Sequence, residues 1–117
     1  MRPLVVKLTA GADAPERCLQ GLTVASVALA TGAAVSLWLT GESVWLATPG
    51  GEVELAESPP ASTLLEAVLA GGQVQVCTQC ATRRDLTQEA LLPGVVIAGA
   101  GSFVEQALAP EAQALVY

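Results

Sequence analysis

The sequence predicts an α/β sandwich on a mainly parallel five-stranded sheet. Short apolar runs rich in Val, Ile, Leu and Ala recur five times along the chain. Each is parted from the next by at least one stretch with helical spacing of its apolar residues, and glycines and prolines punctuate the joins. Strands that alternate with helices in this way feed a parallel sheet, because every return crossing needs a helix.

The first strand is residues 4–8, interrupted by Lys7. A loop follows over 9–12. Asp13, with Pro15 in the first turn and Glu16 three residues on, has capping-box spacing for a helix that runs to about Thr31, where Gly32 stops it. This helix carries Cys18, Leu22, Ala25 and Leu29 on one face. Val24, Val27 and Ala28 extend its apolar character nearly all round, which predicts cover on more than one side. Residues 34–39 (AVSLWL) form the second strand. After a turn over 40–42 a short helix spans 44–47, ended by Pro49-Gly50-Gly51. Residues 52–60 are acidic and loop-like. Ser62 caps a helix through Leu64, Leu65, Val68 and Leu69, closed by Gly71-Gly72. The third strand holds Val74 and Val76 and delivers Cys77. A short helix at 87–92, a strand at 95–98, a helix at 102–108 and a last strand at 114–117 complete the chain.

At 117 residues the chain is one domain, residues 1–117. It is 52% hydrophobic and 14% charged with 3% aromatics, so Ala, Val and Leu build the core and disorder is excluded. That apolar content exceeds what a small monomer hides, so some surface is expected to lie against another subunit. The net charge of −6 argues against nucleic acid or an anionic membrane as partner. With no histidine, neither a Ser-His-Asp nor a Cys-His site can be assembled from this chain. Residues 18–41 carry no charge, a span long enough to cross a bilayer, but Gln20, five Ser and Thr side chains and three glycines argue against it. Lys7 likewise breaks any resemblance of the N-terminus to a secretion signal. Three cysteines, an odd and sparse set, fit free thiols in a reducing cytoplasm.

Thiols and positive charge are concentrated in one place, V74-Q-V-C-T-Q-C-A-T-R-R-D85. Two of the three cysteines and two of the five bases fall between Cys77 and Arg84. Cys77 stands where a strand ends, the edge at which open α/β sheets bind ligands. A helix beginning near Thr78 would favour its thiolate, as would Arg83 and Arg84, and would make Cys80 and Arg84 i,i+4 neighbours. Four readings fit this segment. Cys77 and Cys80 are small core hydrophobes. They are half of a zinc site, which lacks its other two ligands unless subunits share the ion. They are a dithiol switch, though the aromatic-Cys-Gly-Pro-Cys context of thioredoxins is missing. Or one thiol carries a sulfur atom as a persulfide.

The segment VQVCTQCATRRDL followed by LLPGVVIAG resembles the signature of the DsrE/DsrF-like sulfur-relay family, in which a strand ends in cysteine, arginines follow, and Gly-Val precedes the next strand. The first strand, the Ala-rich helix and VSLWLTGESVWLA are similar to the rest of its layout. The resemblance implies a three-layer α/β/α sandwich with a five-stranded, mainly parallel sheet, and a homo-oligomer, commonly a trimer or hexamer. It also implies cysteine persulfide transfer between a sulfur donor protein and an acceptor protein, with no cofactor and no metal. On this resemblance Cys77 is the sulfur-accepting residue and Cys80 the second cysteine, able to resolve the persulfide. Arg83 and Arg84 would bind the anionic donor. Asp85 stands where the family usually has glycine.

Gly99-Ala100-Gly101-Ser102 before a helix lacks a full phosphate-binding pattern and reads as a turn. Cys18 and Trp38 read as packing, and Trp45 as a subunit contact. Glu52, Glu54 and Glu57 read as solvated surface.

Overall fold

The structure, a computed structural model, describes residues 2–117. Its strands are β1 (Pro3–Leu8), β2 (Ala34–Leu39), β3 (Gln73–Cys77), β4 (Val96–Ala98) and β5 (Gln113–Val116). They form one sheet in the order β4-β3-β2-β1-β5. Every neighbouring pair is parallel, so the expected "mainly parallel" sheet is wholly so. All five carboxyl ends therefore share one edge.

Side-chain alternation gives the sheet two different faces. On one, Val6, Leu8, Val35, Leu37, Leu39, Val74 and Val76 pack into a single cluster with α1 (Pro15–Ala30) and α2 (Ala61–Gly71). On the other, the register lines up Val116, Lys7, Trp38, Gln75 and Val96 in one row. This second face is covered by α4 (Ala100–Ala107), whose Phe103 ring meets Trp38 edge-on at 5.7 Å and whose Gln106 Oε1 accepts a hydrogen bond from Trp38 Nε1 at 2.8 Å. The result is an α/β/α sandwich with one thick helical layer and one thin one.

Several local expectations need correction. Asp13 does not cap α1: its Oδ1 accepts the Gly11 N–H at 2.8 Å, and the N-cap position belongs to Ala14. Ser62 does not cap α2, which starts at Ala61. Its N–H and hydroxyl instead donate to the Glu52 carboxylate, which also accepts the Val53 N–H. Glu52 is exposed, as expected, and also serves the helix N-terminus from the preceding loop, where the Ser62 hydroxyl lowers its carboxyl below the usual range. Helix α4 starts two residues before the expected Ser102, and the segment at 87–92 narrows to a 3-10 turn, Gln88–Ala90. Helix α1 is covered on two sides, by the sheet and by α2, as its wide apolar face predicts, and only its outermost face, with Val27, stays exposed.

Cys18 is buried in the α1–sheet cluster. Burial, helped by the Asp13 carboxylate, pushes its thiol from 9.0 to about 11. The unfolded chain therefore loses this proton first as pH rises. The associated stability is intact below about pH 9 and disappears by about pH 11. Thermal melts of wild type should fall more steeply across that window than those of Cys18→Ala; parallel slopes would contradict the burial argument.

Helix α3 (Thr78–Arg83) ends in a Schellman motif. The Leu86 N–H reaches Ala81 O at 2.9 Å, the Asp85 N–H reaches Thr82 O at 3.2 Å, and Asp85 takes φ +54°. Aspartate occupies this left-handed position at some cost, less than most residues would incur. Asp85→Gly should stabilise the protein by about 0.5–1 kcal/mol and Asp85→Val should destabilise it by about 1–2 kcal/mol, read from denaturant midpoints. Equal midpoints for the two variants would show that the backbone conformation is not what matters there.

Candidate functional site

Cys77 is the last residue of β3 and the N-cap of α3, so the strand brings the sulfur to the carboxyl edge of the sheet and the helix starts from it. It pairs in register with Ala98 of β4, whose chain continues directly into α4. The side chain is partly exposed and unbridged. Burial pushes its thiol up. The backbone N–H groups of Cys80 and Gln79, the Cys80 side chain and the charge of Lys7 together outweigh that, so the thiol sits below the ordinary cysteine range. The amides belong to the first turn of α3, where N–H groups have no partner within the helix.

Cys80 lies one turn on and is buried. Its Sγ accepts the Gly41 N–H at 3.2 Å. Gly41 begins the 3-10 helix Gly41–Ala47 that follows β2, and has φ +57°; a Cβ there would lie 2.9 Å from Thr9 O. Only glycine brings this amide to the sulfur without strain. The same turn is fastened by Ser43, whose fully buried hydroxyl donates to Leu8 O at 2.7 Å and accepts the Thr40 N–H at 2.9 Å.

Both arginines gather on the Cys80 side. Arg83 Nη1 stands 4.0 Å from Cys80 Sγ. Arg84 Nε and Nη2 both donate to Glu42 Oε2, at 3.1 and 3.0 Å, while Nη1 donates to Cys80 O at 3.2 Å. Spacing explains this. Residues six and seven beyond Cys77 are nearly two turns along the helix, whereas they are third and fourth from Cys80. Asp85, in contrast, forms no ion pair among the described residues, and Glu42 is the carboxylate that meets Arg84.

Four further residues at or beside the site are not singled out by the sequence, three of them from outside the cysteine segment. Lys7 comes from β1, two strands away. Gly41 and Glu42 come from the turn after β2. Gln75, on the same face as Cys77, is 7% exposed and donates from Nε2 to Gln73 Oε1 at 3.1 Å, but its own Oε1 has no partner. No group of three or more metal-ligating side chains converges among the described residues, and no described helix is long and apolar enough to cross a membrane.

The fold is similar to two solved structures. The ychN protein from E. coli superposes with a TM-score of 0.84 at 19% sequence identity, over 100% of both chains. MTH1491 from Methanobacterium thermoautotrophicum, a protein of unknown function, superposes with a TM-score of 0.78 at 12% identity, again over 100% of both chains. No curated protein matches the sequence. The sequence profile of the DsrE/DsrF-like family matches residues 4–115. With that match spanning nearly the whole length, and a thiol at the sheet edge where the cysteine motif is found, the chain belongs to the DsrE/DsrF-like family.

Proposed function

We propose that this protein is a small cytoplasmic sulfur-relay protein that carries sulfane sulfur on Cys77 and hands it to a protein partner. The observation that supports this most is a partly exposed thiol at the sheet's carboxyl edge, met by backbone N–H groups that favour its ionised form. In loading, the Cys77 thiolate attacks the outer sulfur of a donor persulfide; the donor's S–S bond breaks and its thiolate leaves. In unloading, an acceptor thiolate attacks the outer sulfur on Cys77, and Cys77 leaves as thiolate. Neither step changes the overall oxidation level. Arg83 and Arg84 supply positive charge for an anionic donor approaching the Cys80 side. Incubation with a persulfide donor followed by peptide mass analysis tests this: one added sulfur on the Cys77 peptide is expected, and adducts confined to other cysteines would refute the assignment.

A second reading, a dithiol–disulfide protein, is favoured by the placement of the two free cysteines three residues apart at the start of one helix, with Cys80 helping to lower the Cys77 thiol. Here Cys80 attacks Cys77 Sγ of the persulfide, the outer sulfur leaves as hydrosulfide, and a Cys77–Cys80 disulfide remains that an external dithiol must reduce. A third, a non-catalytic interaction module, predicts that Cys77 resists alkylation in the folded protein.

Self-association belongs to the proposal. Val96, Val104, Leu108 and Val116, four of the six large hydrophobic side chains that stay exposed among the described residues, lie on α4 and its end or on the sheet face it covers. Leu108 is 79% exposed. Such a patch fits a second copy of this chain, as a trimer or hexamer, with Trp45 as a further contact. The double variant Val104→Asp/Leu108→Asp should sediment as a smaller species than wild type; an unchanged mass would place the interface elsewhere.

A further inference from the structure

We propose that Lys7 is the positioning cation for the sulfur on Cys77, set on the α4 side of the sheet rather than on the arginine-bearing helix. This deepens the relay reading and rests on it for the sulfur-carrying step. Lys7 shares its row with Trp38 and Gln75, and Cys77 lies two residues beyond Gln75 on the same face, so Lys7 and Cys77 project from the same side of the sheet. Lys7 is partly buried, and its ammonium stands 5.3 Å above the Phe103 ring. That ring is itself packed on Trp38, whose indole is tied to Gln106, so the site under the ammonium is fixed. A ring face attracts a cation without consuming its N–H donors. No carboxylate pairs with Lys7 among the described residues, although the chain has eleven acidic residues for five basic ones.

The other charged groups near the site are committed. Glu42 is held by Arg84, and Arg83 faces Cys80 Sγ. The strands flanking β3 contribute no titratable side chain there, and α4 contributes only Glu105, which is exposed. The amides of α3 are fixed at the position of Cys77 Sγ. A persulfide moves its anionic atom one S–S bond outward, about 2 Å. A four-carbon arm can follow that displacement; a helix terminus cannot. Lys7 therefore meets the charge in both halves of the transfer cycle.

The experiment compares wild type with Lys7→Met, which keeps the stem, and Lys7→Arg, which keeps the charge. Alkylation of the Cys77 peptide is followed against pH with iodoacetamide and with anionic iodoacetate, and circular dichroism confirms folding. For Lys7→Met, the rate at pH 7 should fall roughly two- to fivefold, and the preference for iodoacetate should fall with it. Lys7→Arg should restore both. An unchanged profile in Lys7→Met, or an equal loss in Lys7→Arg, overturns the assignment, the latter because packing rather than charge would then be responsible. Alkylation needs no sulfur donor, so this outcome is separable from the relay reading itself. With a persulfide donor present, Lys7→Met should also retain less sulfur on Cys77 than wild type; equal retention overturns the sulfur-carrying half of the proposal.

Discussion

On the proposed relay function, Cys77→Ser should abolish sulfur loading on the β3–α3 segment and slow thiol alkylation at neutral pH by about tenfold or more. The magnitude follows from burial. The remaining thiols, Cys18 and Cys80, are both buried, and Cys18 is pushed up to about 11, so neither replaces the lost thiolate. Cys80→Ser behaves differently. It keeps loading, because Cys77 and the amides beneath it are intact, but it holds the sulfur longer, because no neighbouring thiol remains to expel hydrosulfide. The pH dependence has a definite sign. The Cys77 thiol lies below the ordinary range, so its reactivity extends to lower pH than that of an exposed cysteine and declines only as pH falls through the lowered value. Peptide-resolved mass spectrometry after timed exposure to donor or to iodoacetamide reads all of this. Fast loading of Cys80 in the Cys77→Ser protein would reverse the roles of the two residues.

Trp38→Ala costs about 3–5 kcal/mol, the largest single loss of stability expected in the chain. Trp38 is 1% exposed at the centre of the sheet's second face. It anchors α4 through the edge-on contact with Phe103 and the hydrogen bond to Gln106. Removing it leaves a cavity beneath an eight-residue helix that has no fully buried residue of its own. For a domain of this size that is a fall of roughly 10–20 °C in Tm. Trp38→Phe keeps most of the ring contact and loses the hydrogen bond, at a smaller cost of about 1 kcal/mol. Differential scanning calorimetry on both variants is the check, and a loss below 1 kcal/mol for alanine would mean that α4 is not held by this residue.

The legible part of the molecule is the part whose signal is local. The β-forming residues of AVSLWL, the valines of VQV, the Gly32 stop and the strand ending at Cys77 are all written within a few residues, and each is found where expected. Asp85 stands where glycine is usual in the family, and the structure gives the physical reason: φ is +54° there, a left-handed backbone that glycine favours. Capping was less legible. Asp13 has the right spacing, yet the neighbouring Gly11 amide takes its carboxylate, and α2 receives Glu52 from ten residues upstream of Ser62. The site was half legible for the same reason. Its sulfurs and arginines lie in one segment, but Lys7 and Gly41 reach it through strand order, and nothing in β1 says that two strands later a thiol will stand on the same face.

The two outermost strands are only three and four residues long. They offer few unpaired main-chain groups to a neighbour, so ribbon-like growth of one sheet into the next is blocked at both margins. Contacts between copies of this chain would then rest on side chains rather than on main-chain pairing of sheet edges.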